Sequence, residues 1–109
     1  MRQWEIFHYP FADEQPHPVV VISSNERCAA SKFVNALLCV TVRAGRPLDS
    51  SFEVGIDRAD GMDWATAVRC DLLYQLERNL MKPQGGQVSY QRRIEIARMI
   101  RRLLRLDLG

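Results

Sequence analysis

The sequence predicts a mainly β domain with one helix: a small β-barrel with a C-terminal helix packed on it. Three observations point there. Short apolar or alternating runs, each bounded by turn residues, recur along most of the chain. Only one segment, near the end, carries the period of an amphipathic helix. At 109 residues the chain has room for one modest core, which makes it a single domain, residues 1–109.

Taken in order, Trp4, Ile6 and His8 alternate with Glu5 and Phe7 and predict a first strand, which Tyr9-Pro10 begins to end because proline cannot donate to a ladder. A polar loop, residues 12–16, leads to a second strand at 18–23, with His17 just before it between two prolines. Ser24 is placed to cap a short helical turn. The apolar, branched run from Phe33 to Arg43 predicts a buried strand, and Ala44-Gly45-Arg46-Pro47 opens a loop that continues to Ser51. Residues 52–56 and 67–74 are further strand candidates, separated by a segment with an Asp60-Gly61 turn signal. Pro83 to Val88 reads as a turn and a strand end, after which Ser89 caps a helix of about four turns. On that helix Ile96, Ala97, Met99, Ile100, Leu103 and Leu104 form one arc, opposite Arg98, Arg101, Arg102 and Arg105. Such a helix is expected to lie on the barrel rather than on a membrane surface.

Composition narrows the class. Hydrophobic residues make up 47% and charged residues 26%, with no apolar run long enough to span a bilayer. Met1-Arg2-Gln3-Trp4-Glu5 does not read as a secretion signal, so a cytoplasmic location is expected. Cys28, Cys39 and Cys70 are odd in number and widely spaced, which argues against a disulfide framework and against a zinc site. The net charge of +2 conceals an asymmetry: residues 1–77 hold 7 basic and 11 acidic groups, whereas residues 78–105 hold 8 basic groups and one acid. A basic patch of this kind suits a phosphate backbone or an acidic protein partner, and it equally suits a solvated helix face.

Two strand ends carry residues able to handle phosphate. His17 precedes the second strand, and Thr41 and Arg43 close the third. Together they suggest a site for nucleic acid.

The order Trp4-Glu5-Ile6, His17-Pro18-Val19-Val20-Val21-Ile22-Ser23, Val40-Thr41, Val68-Arg69-Cys70-Asp71-Leu72-Leu73, and a final helix after a serine resembles the MazF/PemK family of toxin endoribonucleases over nearly the whole chain. The resemblance implies an SH3-like barrel that pairs into a homodimer. It also implies a toxin of a type II toxin-antitoxin system that cleaves single-stranded messenger RNA with no metal and no cofactor. In that reaction a 2′-hydroxyl attacks the neighbouring phosphorus to leave a 2′,3′-cyclic phosphate, and a cognate acidic antitoxin blocks the enzyme. The family places catalysis on the arginine of an arginine-proline pair and on a strand-ending threonine. The threonine corresponds to Thr41, whereas His17 stands where the arginine belongs.

His17 admits two readings. An imidazole gives and takes protons near neutrality and can replace the arginine as acid or base; alternatively the site has decayed and His17 has no task. Thr41 then donates to a phosphate oxygen, or is simply a β-branched strand residue. Glu14 and Gln15 match an acidic-amide pair of the family loop, and Arg43, Arg46 and Arg69 are candidate phosphate contacts. For Asp71 the expectation is a structural hydrogen bond, and His8 is expected to be structural. Two alternatives stand beside the ribonuclease. One is a non-enzymatic gyrase poison like CcdB, whose tryptophan-glycine-isoleucine ending this chain lacks. The other is a catalytically degenerate barrel that binds RNA or antitoxin.

Overall fold

The computed structural model describes residues 1–12 and 15–109. Six strands form one antiparallel sheet: β1 (Glu5–Pro10), β2 (Pro16–Val21), β3 (Phe33–Thr41), β4 (Glu53–Ile56), β5 (Thr66–Glu77) and β6 (Lys82–Gln87), in the order β4-β5-β3-β2-β1-β6. Helix α1 (Asn25–Ala30) joins β2 to β3, and α2 (Tyr90–Leu103) follows β6. Ser24 caps α1 as expected, its hydroxyl accepting from the Arg27 N–H.

Strand alternation divides the apolar residues between two cores. Ile6, Val20, Leu37, Cys39, Val68 and Ile96 belong to the core beneath α2, while Phe7, Val19, Val21, Val34, Ala36 and Leu76 form the other with Cys28 of α1. Registers such as Ile6 opposite Val20 and Phe7 opposite Val19 keep each set on its own side.

The sheet is a curled half-barrel with edges at β4 and β6. A 3-10 turn after β4 (Arg58–Asp60) brings the two edges together. Gly61, at a φ of +84°, lies so close to Gly86 of β6 that a Cβ added to it would come within 2.7 Å of the Gly86 Cα. The buried Asp60 carboxylate accepts from the N–H of Ser89 at 2.7 Å and of Asp57 at 3.0 Å, tying this turn to the start of α2. Ser89 does occupy the helix N-cap, but its side chain makes no capping bond.

Several boundaries differ from the sequence expectation. The second strand begins earlier, so His17 belongs to β2 and pairs with Tyr9 instead of lying in a loop. Pro83 to Val88, expected as a turn and a strand end, lies almost wholly in a full strand, β6; Pro83 is tolerated there because β6 is an edge strand beside β1. On α2, Ile96 and Met99 are buried and Ile100 packs against them, but Ala97, Leu103 and Leu104, expected on the same apolar arc, are exposed.

Candidate active site

A cavity of about 470 Å³ opens at the end of the sheet where β1 finishes, β2 begins and β3 finishes. It is lined by both histidines of the chain, His8 and His17, and by Thr41 and Arg43. Met62, Asp63 and Trp64, from the connection before β5, and Gln84 of β6 close it. The edge-to-edge closure described above therefore supplies one wall of the site.

Thr41 is exposed at the last position of β3, where its ladder partner is Thr66 of β5. Its Oγ1 accepts a hydrogen bond of 3.2 Å from the indole Nε1 of Trp64. An indole N–H only donates, so the hydroxyl hydrogen of Thr41 is left to point at another acceptor, such as a phosphate oxygen. Trp64 itself is 61% exposed and presents a wide aromatic face at the cavity rim.

His17 is half-buried, with its ring 5.7 Å from that of Phe11 in an edge arrangement. Phe11 in turn contacts Tyr9 and Tyr74, so the imidazole has an aromatic backing. Alternation puts His17 on the side of Val19 and Val21, whereas Thr41 shares the side of Leu37 and Cys39. Both nevertheless line the cavity, since both lie near strand ends, beyond Val19 and Leu38, the last paired positions of β2 and β3. His8 lies on Thr41's side of the sheet with Ile6, flanked by Pro18 of β2 and Lys82 of β6.

Arg43 lines the cavity from a turn closed by the Arg46 N–H to the Arg43 carbonyl, with Gly45 at a φ of +81°. Among the described residues no carboxylate pairs with Arg43. The other two proposed phosphate contacts are spent elsewhere. Arg46 grips Glu53 through both nitrogens, at 3.1 and 3.3 Å, and Arg69 grips Asp71 at 2.9 and 2.8 Å while lying over the Phe52 ring. Neither lines the cavity. Asp71 thus has the structural hydrogen bond expected of it, and the Arg69 pair holds its carboxyl below the usual range. Gln15 is exposed directly before β2, and Glu14 lies outside the described residues.

The buried thiols are poor candidates for chemistry. Burial raises the pKa of Cys39, which lines the cavity, and pushes Cys70 up to about 12, so both stay protonated at neutral pH. Among the described residues no three of His, Cys, Asp and Glu come together as a metal site.

Sequence reasoning missed Trp64, Asp63, Gln84 and the cavity position of His8. Trp64 had a signal: a large aromatic side chain just after the Asp57-to-Asp63 turn region, where burial is not expected. His8 had none, because alternation with Trp4 and Ile6 reads as core.

A family model described as the PemK-like, MazF-like toxin of type II toxin-antitoxin systems matches residues 2–104. Among solved structures, an endoribonuclease in complex with its cognate antitoxin from Mycobacterial species superposes with a TM-score of 0.81 at 16% identity, covering 100% of this chain and 99% of that one. A MazF toxin of Mycobacterium tuberculosis gives 0.75 at 20% identity, covering 94% and 98%. A MazE-MazF structure from Deinococcus radiodurans gives 0.76 at 16% identity, covering 98% and 97%. At these identities the structures establish the fold and the family model establishes kinship. No curated protein matches the chain.

Proposed function

Because the chain belongs to the PemK-like, MazF-like toxin family of type II toxin-antitoxin systems, we propose that it is a metal-independent endoribonuclease that cleaves single-stranded RNA at the cavity between β1, β2 and β3. The observation that carries this reading is the meeting of His17, Thr41 and Arg43 around one cavity although they come from different strands and a loop. The reaction asks for a proton acceptor at the 2′-oxygen, a proton donor at the 5′-oxygen, and donors for the charge that builds on the phosphorane. His17 supplies proton transfer, the Thr41 hydroxyl donates to a phosphate oxygen, and Arg43 adds a charge that no described carboxylate neutralises. The exposed indole of Trp64 offers a stacking surface for an unpaired base beside that phosphate.

The partners follow the family: a cognate acidic antitoxin and a second copy of the chain, in the cytoplasm. Support for an acidic partner comes from α2, where Arg98, Arg101, Arg102 and Arg105 line a basic groove. Among the described residues no helix is long and apolar enough to cross a membrane.

The test is cleavage of single-stranded RNA by purified protein and by the Thr41→Ala and His17→Ala variants. Each substitution is expected to lower kcat by ~100-fold or more while the far-ultraviolet dichroism stays that of the wild type. Cleavage at the wild-type rate by both variants removes the site. Inhibition of gyrase supercoiling by a protein that leaves RNA intact favours the poison reading instead.

A further inference from the structure

We propose that His8 is a second catalytic residue and that His8 and His17 divide the two proton transfers of RNA cleavage between them. The inference rests on the ribonuclease reading above and specifies how its site works without the family arginine.

The chain contains two histidines, and both line the same cavity. They come from paired strands, with His8 opposite Pro18 and Tyr9 opposite His17, so they occupy adjacent ladder positions and start from opposite faces of the β1–β2 pair. By alternation His8 lies on the face that also carries Thr41, whereas His17 lies on the other face, edge-on to Phe11, and still lines the cavity at the start of β2. His8, His17 and Thr41 all line the one cavity, and in the proposed complex a phosphodiester held by Thr41 lies between the two imidazoles. In-line displacement needs that arrangement, because the attacking and leaving oxygens stand on opposite sides of the phosphorus.

The step balances with these groups alone. One imidazole takes the proton from the 2′-hydroxyl as the O2′–P bond forms; the P–O5′ bond breaks, and the other imidazole, protonated, gives its proton to the departing 5′-oxygen. The products are a 2′,3′-cyclic phosphate and a 5′-hydroxyl. The two rings finish with exchanged protonation states, which proton exchange with solvent resets.

The experiment compares wild type, His8→Ala and His17→Ala on two RNA substrates. One is an ordinary oligonucleotide, and the other carries sulfur in place of the bridging 5′-oxygen, a leaving group that needs no proton. On the ordinary substrate His8→Ala is expected to cut at least ~100-fold more slowly than wild type. Its affinity for a 2′-deoxy oligonucleotide that cannot be cleaved is expected to stay within about threefold of the wild-type value. On the sulfur substrate one of the two variants regains most of its rate and the other does not, which assigns acid and base. A purely structural His8 gives no such selective rescue. If the wild type cleaves and His8→Ala cleaves equally well, the pair is wrong and the ribonuclease reading stands. If His8→Ala is slow but neither variant is rescued, His8 does not share proton transfer with His17. If the wild type cleaves neither substrate, the ribonuclease reading falls and the pair falls with it.

Discussion

At the scale of single residues, the site turns on how Thr41 is held. Its hydroxyl is oriented by one hydrogen bond from an exposed tryptophan, an unusual use of a large aromatic side chain in contact with solvent. The two functions of Trp64 can be separated. Replacing Trp64 with Phe keeps an aromatic face but removes the N–H, whereas replacing it with Ala removes both. Trp64→Phe is expected to retain affinity for a 2′-deoxy oligonucleotide, measured by fluorescence anisotropy, while lowering kcat. Trp64→Ala is expected to weaken binding as well, by roughly tenfold or more, the worth of a lost base-stacking contact. Equal affinities for all three proteins would remove Trp64 from the proposed RNA interface. Thr41 was legible from its place at a strand end; its partner was not, because a contact between residues separated by a strand and a long loop leaves no trace in local pattern.

At the scale of elements, the loop between β3 and β4 is anchored by a carboxylate. Glu53 is buried in β4, and burial opposes its ionisation. The hydrogen bonds from Arg46 and from the Asp49 N–H, with the charge of Arg46, outweigh that cost and hold its pKa below the ordinary value. The sign follows. A carboxyl whose pKa is depressed by folding stabilises the native state above its unfolded pKa, and that stability is lost as the pH falls below about 4.5 toward the folded value. Glu53→Gln is therefore expected to cost roughly 2 kcal/mol at neutral pH, read from urea unfolding, and to flatten the loss of stability in acid. An unchanged acid profile would mean that the Arg46 pair contributes nothing to folding. Elements with strong periodicity were legible from sequence, including β1, β3 and the buried stripe of α2. β6 was obscure because Lys82-Pro83-Gln84-Gly85-Gly86-Gln87 has poor strand propensity, and only an edge position next to β1 lets it pair.

At the scale of the whole molecule, closure of the half-barrel and construction of the site are one event. The turn that packs Gly61 on Gly86 leads directly into Met62, Asp63 and Trp64, and Gln84 of β6 donates to the Gly61 carbonyl at 3.1 Å. That coupling explains why fold class was readable from strand spacing while half of the cavity was not: the missing wall comes from contacts between the two sheet edges. It also explains the fate of the arginines. Arg43 falls on the cavity side of its turn, while Arg46 and Arg69 are drawn into ion pairs on β4 and β5, a distinction that charge counting cannot make.

The proposed chemistry is cleavage of a phosphodiester in this cavity by the RNA's own 2′-hydroxyl. The most direct measurement is the chemistry of the cut ends, read by mass spectrometry after purified protein acts on single-stranded RNA in excess EDTA. A 2′,3′-cyclic phosphate on one fragment and a 5′-hydroxyl on the other are expected; a 3′-hydroxyl paired with a 5′-phosphate, or cleavage that stops when the chelator is added, would contradict this chemistry.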